Sequence, residues 1–114
     1  MTHYMNLHPQ PFALIASGRK TIELRLYDEK RQNISPGDLI IFSNTQSPHE
    51  TITAKVLQLH IFPTFEALYA ALPLEKCGYL PEEITTASYH DMEVYYSPAQ
   101  QSQHGVVGIQ LEKI

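Results

Sequence analysis

Three side chains of complementary chemistry stand close together early in the chain: Lys20, Glu23 and Arg25. A lysine holds an anion as a point charge or, once desolvated, gives up a proton; an arginine offers a planar fork of donors to a phosphate or a base edge. A carboxylate among them can take a proton from water or accept from an exocyclic amine. Lys20 and Glu23 are therefore the candidate catalytic pair, with Arg25 as a ligand-binding partner. Spacing decides whether they act together. On a regular strand Glu23 and Arg25 share a face, while Lys20 has the opposite parity. Lys20 joins them only if the backbone turns between Gly18 and Thr21, which a glycine permits. Without that turn the group reduces to a surface ion pair of small energetic worth.

A second constellation is Tyr95-Tyr96-Ser97. Adjacent tyrosines on an extended segment point to opposite faces, so one packs inward and the other meets a ligand. A tyrosine ring stacks on a base of any identity, and ordinary packing accounts for each ring equally well. The six histidines, His3, His8, His49, His60, His90 and His104, show no tight ligand spacing, and the single cysteine, Cys77, cannot complete a thiolate site. Neither a metal nor a cofactor is expected. His90-Asp91 is not accompanied by a serine nucleophile motif. Nothing beside Cys77 marks an activated thiolate. Gly105 and Gly108 lie against a strand, where close backbone approach is the simpler explanation than a phosphate loop.

The elements that must position these groups follow from periodicity. Residues 8–17 predict a short helix, with Pro9 and Pro11 in or before its first turn and Gly18 at its C-terminal end. From Lys20 to Tyr27 the chain alternates, with Ile22, Leu24 and Leu26 on one face and Thr21, Glu23, Arg25 and Tyr27 on the other, a half-buried strand. Residues 28–33 are polar and irregular. Pro36-Gly37-Asp38 is a turn leading to a strand over 39–42. Residues 51–62 predict a longer strand, with Ile52, Ala54, Val56, Leu57, Leu59 and Ile61 as core members. Thr64 caps a helix over 65–72. A short helical piece covers 74–79, the stretch 81–94 is ambiguous with a helix start at Pro81, and 105–113 is the last strand. Helix, three strands, helices and strand, joined by short turns, describe an α+β fold: a mostly antiparallel sheet or small barrel with flanking helices.

At 114 residues the chain suits one domain, 1–114, with one core. Apolar residues make up 43% and charged residues 18%, which excludes disorder as the default. The net charge of −4 is unlike that of a protein that coats a DNA duplex. Five of the eight basic residues, Arg19, Lys20, Arg25, Lys30 and Arg31, nevertheless fall within thirteen positions, a patch suited to a local anionic ligand. The lone cysteine fits a reducing compartment. No hydrophobic leader or membrane-length apolar run is visible, and a cytoplasmic location is expected.

The stretch from Ser17 to Arg31, SGRKTIELRLYDEKR, resembles the signature of ASCH (activating signal cointegrator homology) domains: a small residue and Gly, a Lys, then Thr-x-Glu-x-Arg on the first strand. Gly37-Asp38 before an apolar strand, Tyr95-Tyr96-Ser97, and Gly105-Val106-Val107-Gly108-Ile109 follow in the order and spacing of that family. The resemblance covers nearly the whole chain. It implies a PUA-like pseudo-barrel with helices flanking a cleft, and RNA or a modified nucleoside or nucleotide as partner. The cleft would be lined by Lys20, Thr21, Glu23 and Arg25, with Tyr95 or Tyr96 stacking and Ser97 beside them. Two activities occur among relatives: deacetylation of acetylated cytidine nucleosides and cleavage of single-stranded RNA. In the amidohydrolases the lysine matches Lys20, but the threonine nucleophile position is Glu23; the further acid falls among Glu75, Glu82, Glu83 and Glu93. The ribonuclease roles of Tyr, Lys and Ser would fall to Tyr27, Lys20 and Ser97.

Overall fold

A computed structural model describes residues 1–114. In chain order it comprises β1 (Thr2–Leu7), α1 (Pro9–Ala16), β2 (Ile22–Leu26), α2 (Glu29–Gln32), β3 (Leu39–Asn44), β4 (Thr51–Phe62), α3 (Phe65–Ala71), three 3₁₀ turns (Leu74–Lys76, Pro81–Thr86 and Tyr89–Val94), α4 (Pro98–His104) and β5 (Val106–Lys113). The strands form one curled sheet in the order β1-β3-β4-β5-β2. Neighbours pair antiparallel except β1 with β3, which run parallel. The first and last strands of that order, β1 and β2, are the two edges, so the sheet is a half-barrel with an open seam between them. The fold is α+β and PUA-like, as expected from the resemblance.

Two apolar clusters hold it together. The barrel interior is filled by Met5, Leu7, Ile40, Phe42, Ile52, Ala54, Val56, Val107, Ile109 and Leu111, with Ile15 and Ile34 closing the ends. The second cluster lies on the other side of β2, where Ile22, Leu24 and Leu26 meet Phe65 and Leu68 of α3, Cys77 and Val106. The alternation of β2 therefore buries its apolar face against the helices. Its polar face pairs, residue for residue, with the barrel side of β5: Glu23 opposite Ile109 and Arg25 opposite Val107. Glu23 is consequently only 4% exposed, and β2 is buried on both faces where a half-buried strand was expected.

Four local expectations are corrected. β1 went unpredicted because His3 breaks its apolar alternation; His3, Met5 and Leu7 all point inward, and the pairing with β3 is non-local. Residues 29–32 form a short helix, because the Asp28 carboxylate accepts from the Arg31 backbone N–H at 3.1 Å and nucleates the turn. In β4 a bulge lies between Val56 and Gln58, so Leu57 faces solvent at 41% exposure. Beyond the bulge Leu59 is half-buried and Ile61 is exposed, so the core members of β4 are Ile52, Ala54 and Val56. Residues 98–104, without an assignment from periodicity, form α4 with Pro98 in its first turn. No helix is long and apolar enough to cross a membrane.

Candidate functional site

The turn required at Gly18 is present. α1 ends at Ser17, Gly18 takes a left-handed φ of 83°, and the Lys20 backbone N–H donates back to the Leu14 carbonyl. This folds Lys20 over the end of β2. Its Nζ reaches Glu23 Oε1 at 2.8 Å, while Arg25 Nε donates to Glu23 Oε2 at 2.7 Å. Both carboxylate oxygens are thus engaged by cations on a nearly buried residue. Burial alone would raise the Glu23 pKa, but the Lys20 and Arg25 charges and hydrogen bonds outweigh it, and the carboxyl is held below its ordinary value. Arg25 also spans the seam, its Nη2 donating to the Asn6 carbonyl of β1 at 2.8 Å. Lys30 Nζ makes a parallel bridge to the Tyr4 carbonyl at 3.0 Å.

These three residues form the floor of a cleft of about 480 Å³ at the open seam. One side is supplied by β1 and α1 through Asn6, Leu7, His8, Pro11 and Leu14. The other comes from α3 and the 3₁₀ turns, which contribute Tyr69, Tyr79, Asp91, Met92, Tyr95 and Tyr96. Gly78 lets Lys20 lie flat: it has φ 110°, and a Cβ there would stand 3.2 Å from Lys20 Cδ.

The wall is internally bonded. Tyr69 and Tyr79 hydroxyls lie 2.7 Å apart, and Tyr79 donates to Asp91 Oδ2 at 2.7 Å. Burial first, partly offset by the hydrogen bond shared with Tyr79, leaves the Tyr69 hydroxyl pushed up to about 12; burial and its two hydrogen bonds push Tyr79 up as well. Tyr96 stacks on Phe65 with ring centroids 6.0 Å apart and planes at 20°. Gln101, only 5% exposed, pins this corner: its Oε1 accepts from the Phe65 N–H at 3.1 Å and its Nε2 donates to the Tyr96 carbonyl at 3.3 Å. Tyr95 stands at the rim, 61% exposed.

The expected site residues divide accordingly. Lys20, Glu23, Arg25, Tyr95 and Tyr96 line one cleft, and Thr21 and Ser97 do not. Thr21 ties the backbone instead, donating to the Lys76 carbonyl and accepting from the Leu111 N–H. Ser97 is the N-cap of α4, its Oγ accepting from the Gln100 N–H at 3.2 Å. Tyr95 ends a 3₁₀ turn with helical backbone angles, so the two tyrosines do not alternate as on an extended segment, and both reach the cleft. Tyr27 packs against the barrel core. Of the four candidates for the further acid, Glu83 alone lines the cleft, its Oε1 accepting from the Leu80 N–H; Glu93 pairs with His90, and Glu75 and Glu82 are exposed. Burial pushes the Cys77 thiol up to about 11, an inert group at neutral pH. No cluster of three or more His, Cys, Asp or Glu side chains is placed to hold a metal ion. Tyr69, Tyr79 and Asp91 escaped sequence reasoning. A signal was present, since five of the seven tyrosines fall between residues 69 and 96.

Comparison with known proteins agrees with this architecture. The chain matches the ASCH domain over residues 5–114. It is similar to the hypothetical protein PH0355, whose crystal structure superposes with a TM-score of 0.82 at 31% identity over 100% of both chains. Protein PF0455 from Pyrococcus furiosus, solved by solution NMR, gives 0.73 at 29% identity over 100% of this chain and 98% of its own. An ASCH protein from Zymomonas mobilis shares the fold at 17% identity, with a TM-score of 0.64 over 96% of this chain and 65% of its own. No protein of curated function matches the sequence. A match over nearly the whole length, on a half-barrel whose open seam holds the Lys-x-x-Glu-x-Arg cluster, leads to one assignment: the chain belongs to the ASCH domain family.

Proposed function

We propose that this protein binds RNA or a modified nucleoside by taking a single unstacked nucleobase into the seam cleft. The observation that carries this reading is the nearly buried Lys20–Glu23–Arg25 cluster at the floor of a cleft walled by four tyrosines, Tyr69, Tyr79, Tyr95 and Tyr96. Its volume of about 480 Å³ is that of a small-molecule site. A polynucleotide duplex has no element that enters such a cleft; a splayed base does. The charge balance favours a base over a phosphate: Lys20 and Arg25 face three carboxylates, Glu23, Glu83 and Asp91. Tyr95, exposed at the rim, is the stacking platform, worth about 1–3 kcal/mol per base.

Binding without turnover is the mode this geometry supports. Both Glu23 oxygens already accept from cations, so the carboxylate is not free to take a proton from water. The test is calorimetric titration with nucleosides, a short single-stranded RNA and its duplex. Nucleosides and the single strand are expected to bind and the duplex not; Arg25→Ala is expected to lose most nucleoside affinity, roughly ten-fold or more. Unchanged binding in that variant counts against the cleft. Acetylated cytidine is expected to survive prolonged incubation intact; release of cytidine would replace the binding reading with a hydrolytic one.

A further inference from the structure

The two sides of the cleft carry opposite hydrogen-bonding polarity. At the floor, each Glu23 oxygen already accepts from a cation, and the hydrogens left over belong to donors: the spare ammonium hydrogens of Lys20 and the Nη1 group of Arg25, whose Nε–H and one Nη2–H are committed. The tyrosine wall is the reverse. The Asp91 carboxylate only accepts, so Tyr79 gives it its one proton. The Tyr79 oxygen must then receive the proton of Tyr69, 2.7 Å away. With both hydroxyl protons spent inside the chain, Tyr69, Tyr79 and Asp91 offer a ligand lone pairs alone. Glu83 beside them adds only a further acceptor. Burial keeps both phenols protonated through the neutral range, so the direction of the chain does not change there. Tyr69 is on α3, Tyr79 follows the first 3₁₀ turn and Asp91 is on the third, so the chain is assembled from three elements and aimed by the fold.

We propose that the Tyr69–Tyr79–Asp91 chain selects, within this cleft, nucleobases bearing an exocyclic amine over their keto counterparts. The inference rests on the reading of the cleft as a nucleobase site and names which bases it takes. An amino base turns N–H donors to the acceptor wall and a ring nitrogen or carbonyl acceptor to Lys20 and Arg25. The keto counterpart sets a carbonyl oxygen against lone pairs and a ring N–H against donors. Glu23, the residue whose type first suggests an amine acceptor, has both oxygens engaged by cations and orients the two donors.

Two matched pairs isolate the effect: cytidine against uridine, and adenosine against inosine, each titrated into the intact protein. The amino member of each pair is expected to bind about ten-fold tighter, the worth of one hydrogen bond gained against one repelled. In Tyr79→Phe the Tyr69 hydroxyl is released and rotates to donate or accept, so the preference is expected to shrink to about two-fold or less while the far-ultraviolet circular dichroism and the thermal unfolding transition report the fold intact. Asp91→Asn, which abolishes the fixed direction without removing a hydroxyl, is expected to do the same and serves if Tyr79→Phe does not fold. Equal binding within both pairs by the unmodified protein would overturn the selectivity and leave the nucleobase site standing. A preference that survives both variants would show that another group sets it. No binding of any of the four nucleosides at millimolar concentration would remove the nucleobase reading, and this inference with it.

Discussion

Glu23 illustrates how a polar residue comes to be tolerated at 4% exposure: it is neutralised on both oxygens. A buried carboxylate that loses one such partner retains the desolvation cost without the compensation. Lys20→Met is therefore expected to lower unfolding free energy at pH 7 by roughly 3 kcal/mol, read from urea denaturation. The pH dependence has a definite sign. Glu23 is depressed in the folded state, so its contribution is present above the unfolded carboxyl value and is lost as pH falls through the lower folded value. The gap between the original protein and Lys20→Met should therefore be full at pH 7 and close in acid. A gap that widened in acid would contradict the pairing. Asp38 follows the same rule at another site: the hydrogen bond from His3 first, then that of the Ser35 N–H, hold its carboxyl at about 2.

Among the elements, α3 and α4 together decide where the tyrosines stand. α3 is anchored by Phe65 and Leu68, both fully buried against β2. Its first-turn N–H at Phe65 has no partner within the helix, and Gln101 of α4 supplies one across the fold. The same amide holds the Tyr96 carbonyl. Gln101→Leu preserves bulk but orphans a buried N–H, and about 2 kcal/mol of stability should be lost in thermal or urea unfolding. Because Tyr96 is released at the same time, nucleoside affinity should fall several-fold in the folded variant. Full retention of affinity would mean that the stack of Tyr96 on Phe65 suffices to place the ring.

For the molecule as a whole, the open seam is both the weak point and the site. Every strand except the edges pairs on both sides; across the seam β1 is bridged by side chains, from β2 by Arg25 to the Asn6 carbonyl and from α2 by Lys30 to the Tyr4 carbonyl. Arg25 thus holds the barrel closed with one end of its guanidinium and the Glu23 carboxylate with the other. Arg25→Ala should speed amide hydrogen exchange in β1 by about ten-fold while leaving β4 and β5 unaffected. A ligand that engages the spare Nη1 should slow exchange in β1 of the unmodified protein, since it holds the same bridge. Unaltered β1 exchange in both experiments would mean that the seam is closed by apolar packing alone.

Periodicity in the chain was enough to determine that the fold is α+β, that β2, β3, β4 and β5 are strands, that Thr64 starts α3 and that Gly18 turns the chain. Those features depend on residues a few positions apart, whose alternation, capping and left-handed preference are local. The Lys20, Glu23 and Arg25 cluster was legible for the same reason, because a single turn brings neighbours in sequence together. What remained for the tertiary structure was everything set by distant pairing. β1 exists as a strand because β3 lies beside it, and Glu23 is buried because its strand face happens to be the barrel side of β5. Ser97 serves a helix and Thr21 a backbone link, roles that residue type alone does not separate from ligand binding. The Tyr69–Tyr79–Asp91 wall joins residues 69, 79 and 91 through two hydroxyl contacts, and the direction of those contacts arises only when three separate elements fold against one another.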